Sequence, residues 1–380
     1  MDFAVWRVWK TGFEFFDLAR AYGLSLFLYA GTDYLSDVLV REHPAYFLVT
    51  ISPPIQKWQK TTPWSVEWEG KGWNYVFKTF RGINARLIAG NKKDARQVLE
   101  IEAPTIINTF DLRAKLLRQD DPEADNNTMK TIWGPLDPSA IKGTRGGSWT
   151  GAEPPILSDP VNWALSLLGA KELFFPFNVK KSSGGWTTYV LAPFPFCVSM
   201  KTSKEIVHLF REKRKLGKCY SVRHAGAWFA VRLYQWLLEG IVNHDIQETS
   251  FSRIGCFELS GGKILSGSFL DLSVLNEFLG RVTEDPKNNE QIVTLSTLLD
   301  LWDSIFLYAA VKKGGENIAL TLADLIFNPN LDNYERHILT VFKERLHLES
   351  LSQLTRRGKR SIRLYNRKLL EEVMSHVEVV

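Results

Sequence analysis

The apolar pattern of this chain changes character once, near residue 271, and that change limits the fold more than any other feature. Ahead of it, short apolar runs alternate with turn residues. Residues 12–30 repeat apolar positions at helical spacing, with Thr11 as the expected N-cap and Gly31 as the stop. Residues 46–52 (YFLVTIS) read as a buried strand ended by Pro53 and Pro54, and residues 64–80 as an aromatic hairpin around EGKG. A helix is expected over 92–100 and another before Asp120. Residues 119–155 are acidic, then Gly/Pro-rich, which fits a long irregular loop of the kind that carries function. Residues 160–170 predict a short helix with Pro at its start and Gly near its end. Strands follow at 171–179 and 186–198, joined by KKSSGG. Helices are expected at 201–216 and 224–240, and a hairpin at 252–270 around SGGK. Beyond Leu272 the periodicity is helical throughout, at 272–280, 288–310, 320–326, 332–347 and 361–377. The expected fold is α+β: an irregular mixed α/β region over residues 1–270, then a helical bundle over 271–380.

At 380 residues the chain is long enough for a large core. Forty-seven basic residues against 42 acidic leave a net charge of +5, so clustering says more about an anionic partner than the total does. Thirteen Trp suit a heavy core with a remainder for interfaces or stacking surfaces. Cys197, Cys219 and Cys256 are odd in number and widely spaced, which argues against a disulfide framework and for a reducing compartment. The start lacks the layout of a signal peptide. The apolar stretch 13–30 holds Glu14, Asp17 and Arg20, so it reads as a buried helix rather than a membrane span. A soluble, cytoplasmic protein without a membrane partner is expected.

The chain shows no P-loop, GxGxxG, HExxH or GxSxG pattern. Its seven His show no metal-ligand spacing. The nearest approach to a catalytic pair is His244–Asp245 in an NHD turn, best read as a helix-terminal cap. No catalytic residue, metal or cofactor is therefore assigned, and a binding subunit is expected. The rival enzyme reading is a nuclease with scattered acids such as Asp111, Asp137 and Asp303. A third reading is an assembly scaffold with a Trp-rich protein-binding face.

The positive signal is basic. One cluster, over residues 201–223, includes Arg214, Lys215 and Lys218. A second, over 343–368, contains Lys359, Arg363 and Arg367 at helical i, i+4, i+8 spacing. On a helix those three share a face that can follow a phosphate backbone, with Ile362, Tyr365 and Leu369 turned inward. Two Gly-rich loops suit close approach to nucleic acid. One contains Lys142, Arg145 and Gly146, and the other Lys180 and Lys181. Asn91, Lys92 and Lys93 form a weaker third.

The segments GPLDPSAIKGTRGG and PPILSDPVNWALSLLGAKELFFPF, with FDLARAYGLSLFLY near the start, resemble stretches of divergent large-subunit-like proteins of type I CRISPR systems. The resemblance implies a non-catalytic subunit of the RNA-guided Cascade complex, beside the guide's 5′ end and the PAM-proximal duplex. The implied partners are guide RNA, target DNA and the other Cascade subunits. In that setting base pairing supplies sequence specificity and the protein reads a short duplex and its shape.

Overall fold

The computed structural model describes residues 4–32, 36–52, 85–125, 127–132, 136, 154–180, 186–203, 205–206, 216, 218–242, 249–260, 263–284, 289–311 and 315–343. The first elements are β1 (Ala4–Trp9), α1 (Glu14–Gly31), β2 (Asp37–Glu42), β3 (Tyr46–Ser52), α2 (Ala85–Asn108) and β4 (Asp111–Leu112). Their strands lie in the order β2-β3-β1-β4. That is the connectivity and order of the ferredoxin-like βαββαβ unit. It departs from that unit in β4, which is two residues long and parallel to β1.

A small antiparallel sheet follows, with β7 (Ile156–Ser158) between β5 (Leu116–Arg118) and β6 (Lys130–Thr131). Then come α3 (Pro160–Leu173), β8 (Phe175–Lys180), β9 (Trp186–Ser199), α4 (Val222–Val242), β10 (Ser250–Ser260) and β11 (Lys263–Asp271). These strands extend the first sheet to eight, in the order β11-β10-β9-β2-β3-β1-β4 with β8 also on β9. The long strand β9 joins the two halves: β8 pairs with residues 186–191 and β2 with residues 197–199. Four helices complete the described chain: α5 (Ser273–Glu284), α6 (Asn289–Val311), α7 (Gly315–Phe327) and α8 (Leu331–Lys343). The molecule is thus mixed α/β in front and helical at the back. One hydrophobic cluster runs through both, from Trp6 to Val341, because α6 and α7 pack against α4.

Helix α1 is buried from Phe15 to Gly31, on every side. A helix apolar all round needs neighbours all round, and α1 has the sheet and α3. The contact with α3 is closest at two glycines. A Cβ at Gly23 would overlap the carbonyl oxygen of Leu165, and one at Gly169 would overlap that of Ala19. Gly169 is therefore a packing position inside α3, which continues to Leu173, and does not end the helix as its place in the sequence suggested. The start of α3 is as expected, with Asp159 accepting from the Asn162 N–H and Pro160 in the first turn.

Thr11 does not cap α1. The N-cap is Phe13, without a side-chain cap bond. Asp17 reaches back from the first turn instead, accepting from the Thr11 N–H, the Thr11 hydroxyl and the Gly12 N–H. Its carboxylate also holds Arg20, which is fully buried (2.8 Å). Arg20 donates further to Asn162 Oδ1 and to the carbonyls of Trp9 and Leu112. Burial pushes the Asp17 carboxyl up against the opposing pull of Arg20 and Thr11. The same burial pulls the Arg20 guanidinium down against Asp17. Every member of this network is hydrogen-bonded, which is what permits charge in a core. It ties α1, α3, β1 and β4 together.

Other expectations shift. The helix read over 92–100 begins at Ala85 and runs through Pro104 to Asn108, and the residues just before Asp120 are extended in β5 rather than helical. Residues 171–173 belong to α3, so the first of the two paired strands starts at Phe175. The hairpin expected at 64–80 and the helix at 361–377 lie outside the described residues, as does most of 201–216. Among the described residues, no helix is long and apolar enough to cross a membrane.

Candidate nucleic-acid interface

Period-two alternation gives the first sheet two unlike faces. Trp6 and Val8 of β1, Val38 and Val40 of β2, and Phe47, Val49 and Ile51 of β3 face the core. The opposite face carries Val5, Arg7 and Trp9 on β1, Leu39 and Arg41 on β2, and Tyr46, Leu48 and Thr50 on β3, all half-buried or exposed. Register aligns these residues in rows. Trp9 lies opposite Tyr46. Asp111, Arg7, Leu48, Arg41 and Cys197 form the next row across five strands. Val5, Thr50, Leu39 and Ser199 form the third.

The first row continues into the flanking turns as a series of planar groups. The Arg113 guanidinium lies 4.1 Å from the centre of the Trp9 ring. Trp9 meets Tyr46 edge-on at 5.4 Å, and Tyr46 stacks on His43 at 4.9 Å. Asp111 fixes the row from the side: it accepts from Trp9 Nε1 at 3.0 Å and from Arg7 Nη1 at 3.5 Å. Those two donors, Trp9 foremost, hold its carboxyl below the ordinary carboxylate value. Arg41 donates its Nε–H to Cys197 Sγ. Arg7, Arg41 and Arg113 stand around the planar row, with Asp111 on Arg7. Asp37 lies at the far end of β2, its carboxylate turned to the Val38 N–H. Such a face supplies flat surfaces for stacking and guanidinium groups for phosphate.

The basic residues expected from sequence fall elsewhere. Asn91, Lys92 and Lys93 stand in the second turn of α2, not in a loop, because the helix starts earlier than its apolar repeat suggests. Lys180 is the last residue of β8, paired with Trp186. Lys218 is exposed on the segment leading into α4. Lys142, Arg145, Gly146, Lys181, Arg214, Lys215, Lys359, Arg363 and Arg367 lie outside the described residues. So do Asp137 and the pair His244–Asp245. Of the remaining scattered acids, Asp303 accepts from Arg232 and Trp228 between α6 and α4, and Asp111 serves the planar row. Among the described residues, no three His, Cys, Asp or Glu side chains are placed to hold a metal ion.

Sequence reasoning passed over Arg7, Trp9, Arg41, His43, Tyr46 and Arg113. The signal was faint: in AVWRVW only Arg7 breaks an apolar run, and the two-residue alternation appears in the burial of the strand rather than in its residue types.

No family model matches the chain. It is similar to a protein of Archaeoglobus fulgidus described as uncharacterized, 25% identical over 402 aligned positions that cover 97% of each chain.

Proposed function

We propose that this chain is a non-catalytic, nucleic-acid-binding subunit of an RNA-guided type I CRISPR surveillance complex, the large subunit of a cytoplasmic Cascade assembly. Its partners on this reading are guide RNA, target DNA and the other Cascade subunits. The observation that carries the reading is the solvent-side face of β1–β3, where Arg113, Trp9, Tyr46 and His43 form a planar row beside Arg7 and Arg41. Two further points support it. The stretches that carry the sequence resemblance include α1 and α3, which are packed directly on each other, so they form one structural unit. Asp111 and Asp303, two acids of the rival nuclease reading, are engaged with Trp9 and Arg7 and with Arg232 and Trp228.

Co-expression with a CRISPR array and the neighbouring backbone-subunit genes tests the proposal. The chain is expected to co-purify in a stoichiometric ribonucleoprotein that binds PAM-containing duplex and leaves it uncut in magnesium or manganese. Purification of the ribonucleoprotein without this chain, at unchanged target affinity, overturns it. So does metal-dependent cleavage by the pure chain that is lost in Asp303→Asn or Asp137→Asn.

A further inference from the structure

The geometry points to unpaired ribonucleotides as the occupant of the β1–β3 face, with about two bases stacked along the planar row and the adjoining phosphates held by Arg7 and Arg41. The choice of RNA over a protein partner rests on the function proposed above. The choice of an unpaired strand rests on the face itself.

Bases inside a duplex are stacked on one another and present only edges and backbone, whereas unpaired bases offer both flat faces to aromatic rings and guanidinium planes. Arg113, Trp9, Tyr46 and His43 are four such planes in sequence, with separations of 4.1, 5.4 and 4.9 Å. Trp9 and Tyr46 stand on β1 and β3, the two inner strands of the β2-β3-β1-β4 order, and Arg113 and His43 in the flanking turns. In sheet platforms of that order, aromatic residues on the sheet face stack two or three bases. The row is preset, since Asp111 fixes both the Trp9 indole and Arg7 before any ligand arrives. Successive rows on a strand lie ~6.8 Å apart, about one step of an extended single strand. The row after the planar one holds Arg7 and Arg41, and the row after that holds the half-buried Thr50. A hydroxyl both donates and accepts, so it can pair with a ribose 2′-OH, the group that distinguishes RNA from DNA.

Anisotropy titration of the purified full-length chain with a labelled, unstructured ten-nucleotide RNA tests this. The single strand is expected to bind at least tenfold tighter than the RNA duplex and the DNA of the same sequence. Trp9→Leu with Tyr46→Leu is expected to weaken binding tenfold or more, and Trp9→Phe with Tyr46→Phe to restore it to within threefold. Arg7→Gln with Arg41→Gln, both exposed positions, is expected to flatten the slope of log K against log salt by about 1.4, at roughly 0.7 per single-strand phosphate. Equal binding of the duplex or of DNA overturns the inference, as does an unchanged slope in the arginine pair. The arginine result stands even if the leucine pair fails to fold. Tight RNA binding by a chain that never enters a guide ribonucleoprotein leaves this inference standing and removes the function proposed above. A ribonucleoprotein that forms normally with the leucine pair does the reverse.

Discussion

Two helix interfaces in this molecule are built on opposite principles. Between α1 and α3 the backbones themselves meet, with Gly23 on the Leu165 carbonyl and Gly169 on the Ala19 carbonyl. Between α4 and the C-terminal helices, polar side chains bridge the elements alongside the apolar contact. Asp303 of α6 takes Arg232 and Trp228 of α4, and Asp300 takes Gln235. Asp324 of α7 lies between Arg223 and Arg336. The Tyr220 hydroxyl donates to the Ala309 carbonyl, and among the C-terminal helices themselves His337 of α8 meets the Thr321 hydroxyl of α7. The first interface is intolerant of volume. The second tolerates volume and depends on protonation.

The largest expected effect breaks the first interface. Gly23→Ala with Gly169→Ala forces two methyl groups into carbonyl oxygens and so separates the helices. Overpacking of this kind on both sides should cost about 5 kcal/mol, read as a lower urea midpoint or as insoluble expression. Wild-type stability in the double variant would show that the two helices can part freely.

Acid should act on two buried histidines in the helical half of the molecule. His224, stacked between Tyr220 and Phe306, is held by burial at a pKa of about 3, and burial holds His337 at about 4. Both stay neutral in the folded protein, while the unfolded chain protonates them below about 6.5. The stability they preserve is full above pH 6.5 and is lost as pH falls towards their folded values. With a limiting slope of roughly 1.4 kcal/mol per unit per histidine, half of that at pH 6.5, moving from pH 6.5 to 5 should cost about 3 kcal/mol. Thermal unfolding against pH measures this, and His337→Gln should halve the slope. An unaltered slope would place the acid sensitivity in another group.

The smallest effects grade the polar contacts. Asp303→Asn leaves Arg232 with a weakened partner in a mostly buried setting, for an expected loss of about 2 kcal/mol. Asp324→Asn weakens a more exposed bridge that solvent screens, for about 0.5 kcal/mol. Equal losses at the two sites in chemical denaturation would contradict the burial ranking.

The pattern of apolar residues made much of this legible. The four described C-terminal helices, the β10–β11 hairpin and α1 follow from spacing, since each repeats its apolar period over many residues. The glycine contact did not, because a glycine near a helix end and a glycine at a helix crossing look alike in sequence. Gly169 was such a case. The planar face was missed for a related reason. AVWRVW is short, and its outward residues include Trp9, an aromatic that reads as core until a partner strand fixes its side. Asp111 was visible only as a lone acid, because the Trp9 it holds lies 102 residues away. Basic clustering pointed to nucleic acid through Lys and Arg in runs, whereas Arg7, Arg41 and Arg113 are isolated in sequence and meet only through strand register.

The full burial of α1 also has a consequence for synthesis. Its buried Arg20 finds Asn162 across 142 residues of chain, and β2 finds β9 across a comparable span. At ribosomal rates of roughly 5–20 residues per second, that interval is on the order of 10 s or more. Throughout it, an apolar helix with a charged pair near its start has left the exit tunnel without α3, which covers one side of it. The N-terminal layer of this protein therefore completes its fold late, by long-range closure, and the nascent chain is most prone to aggregate over its first half.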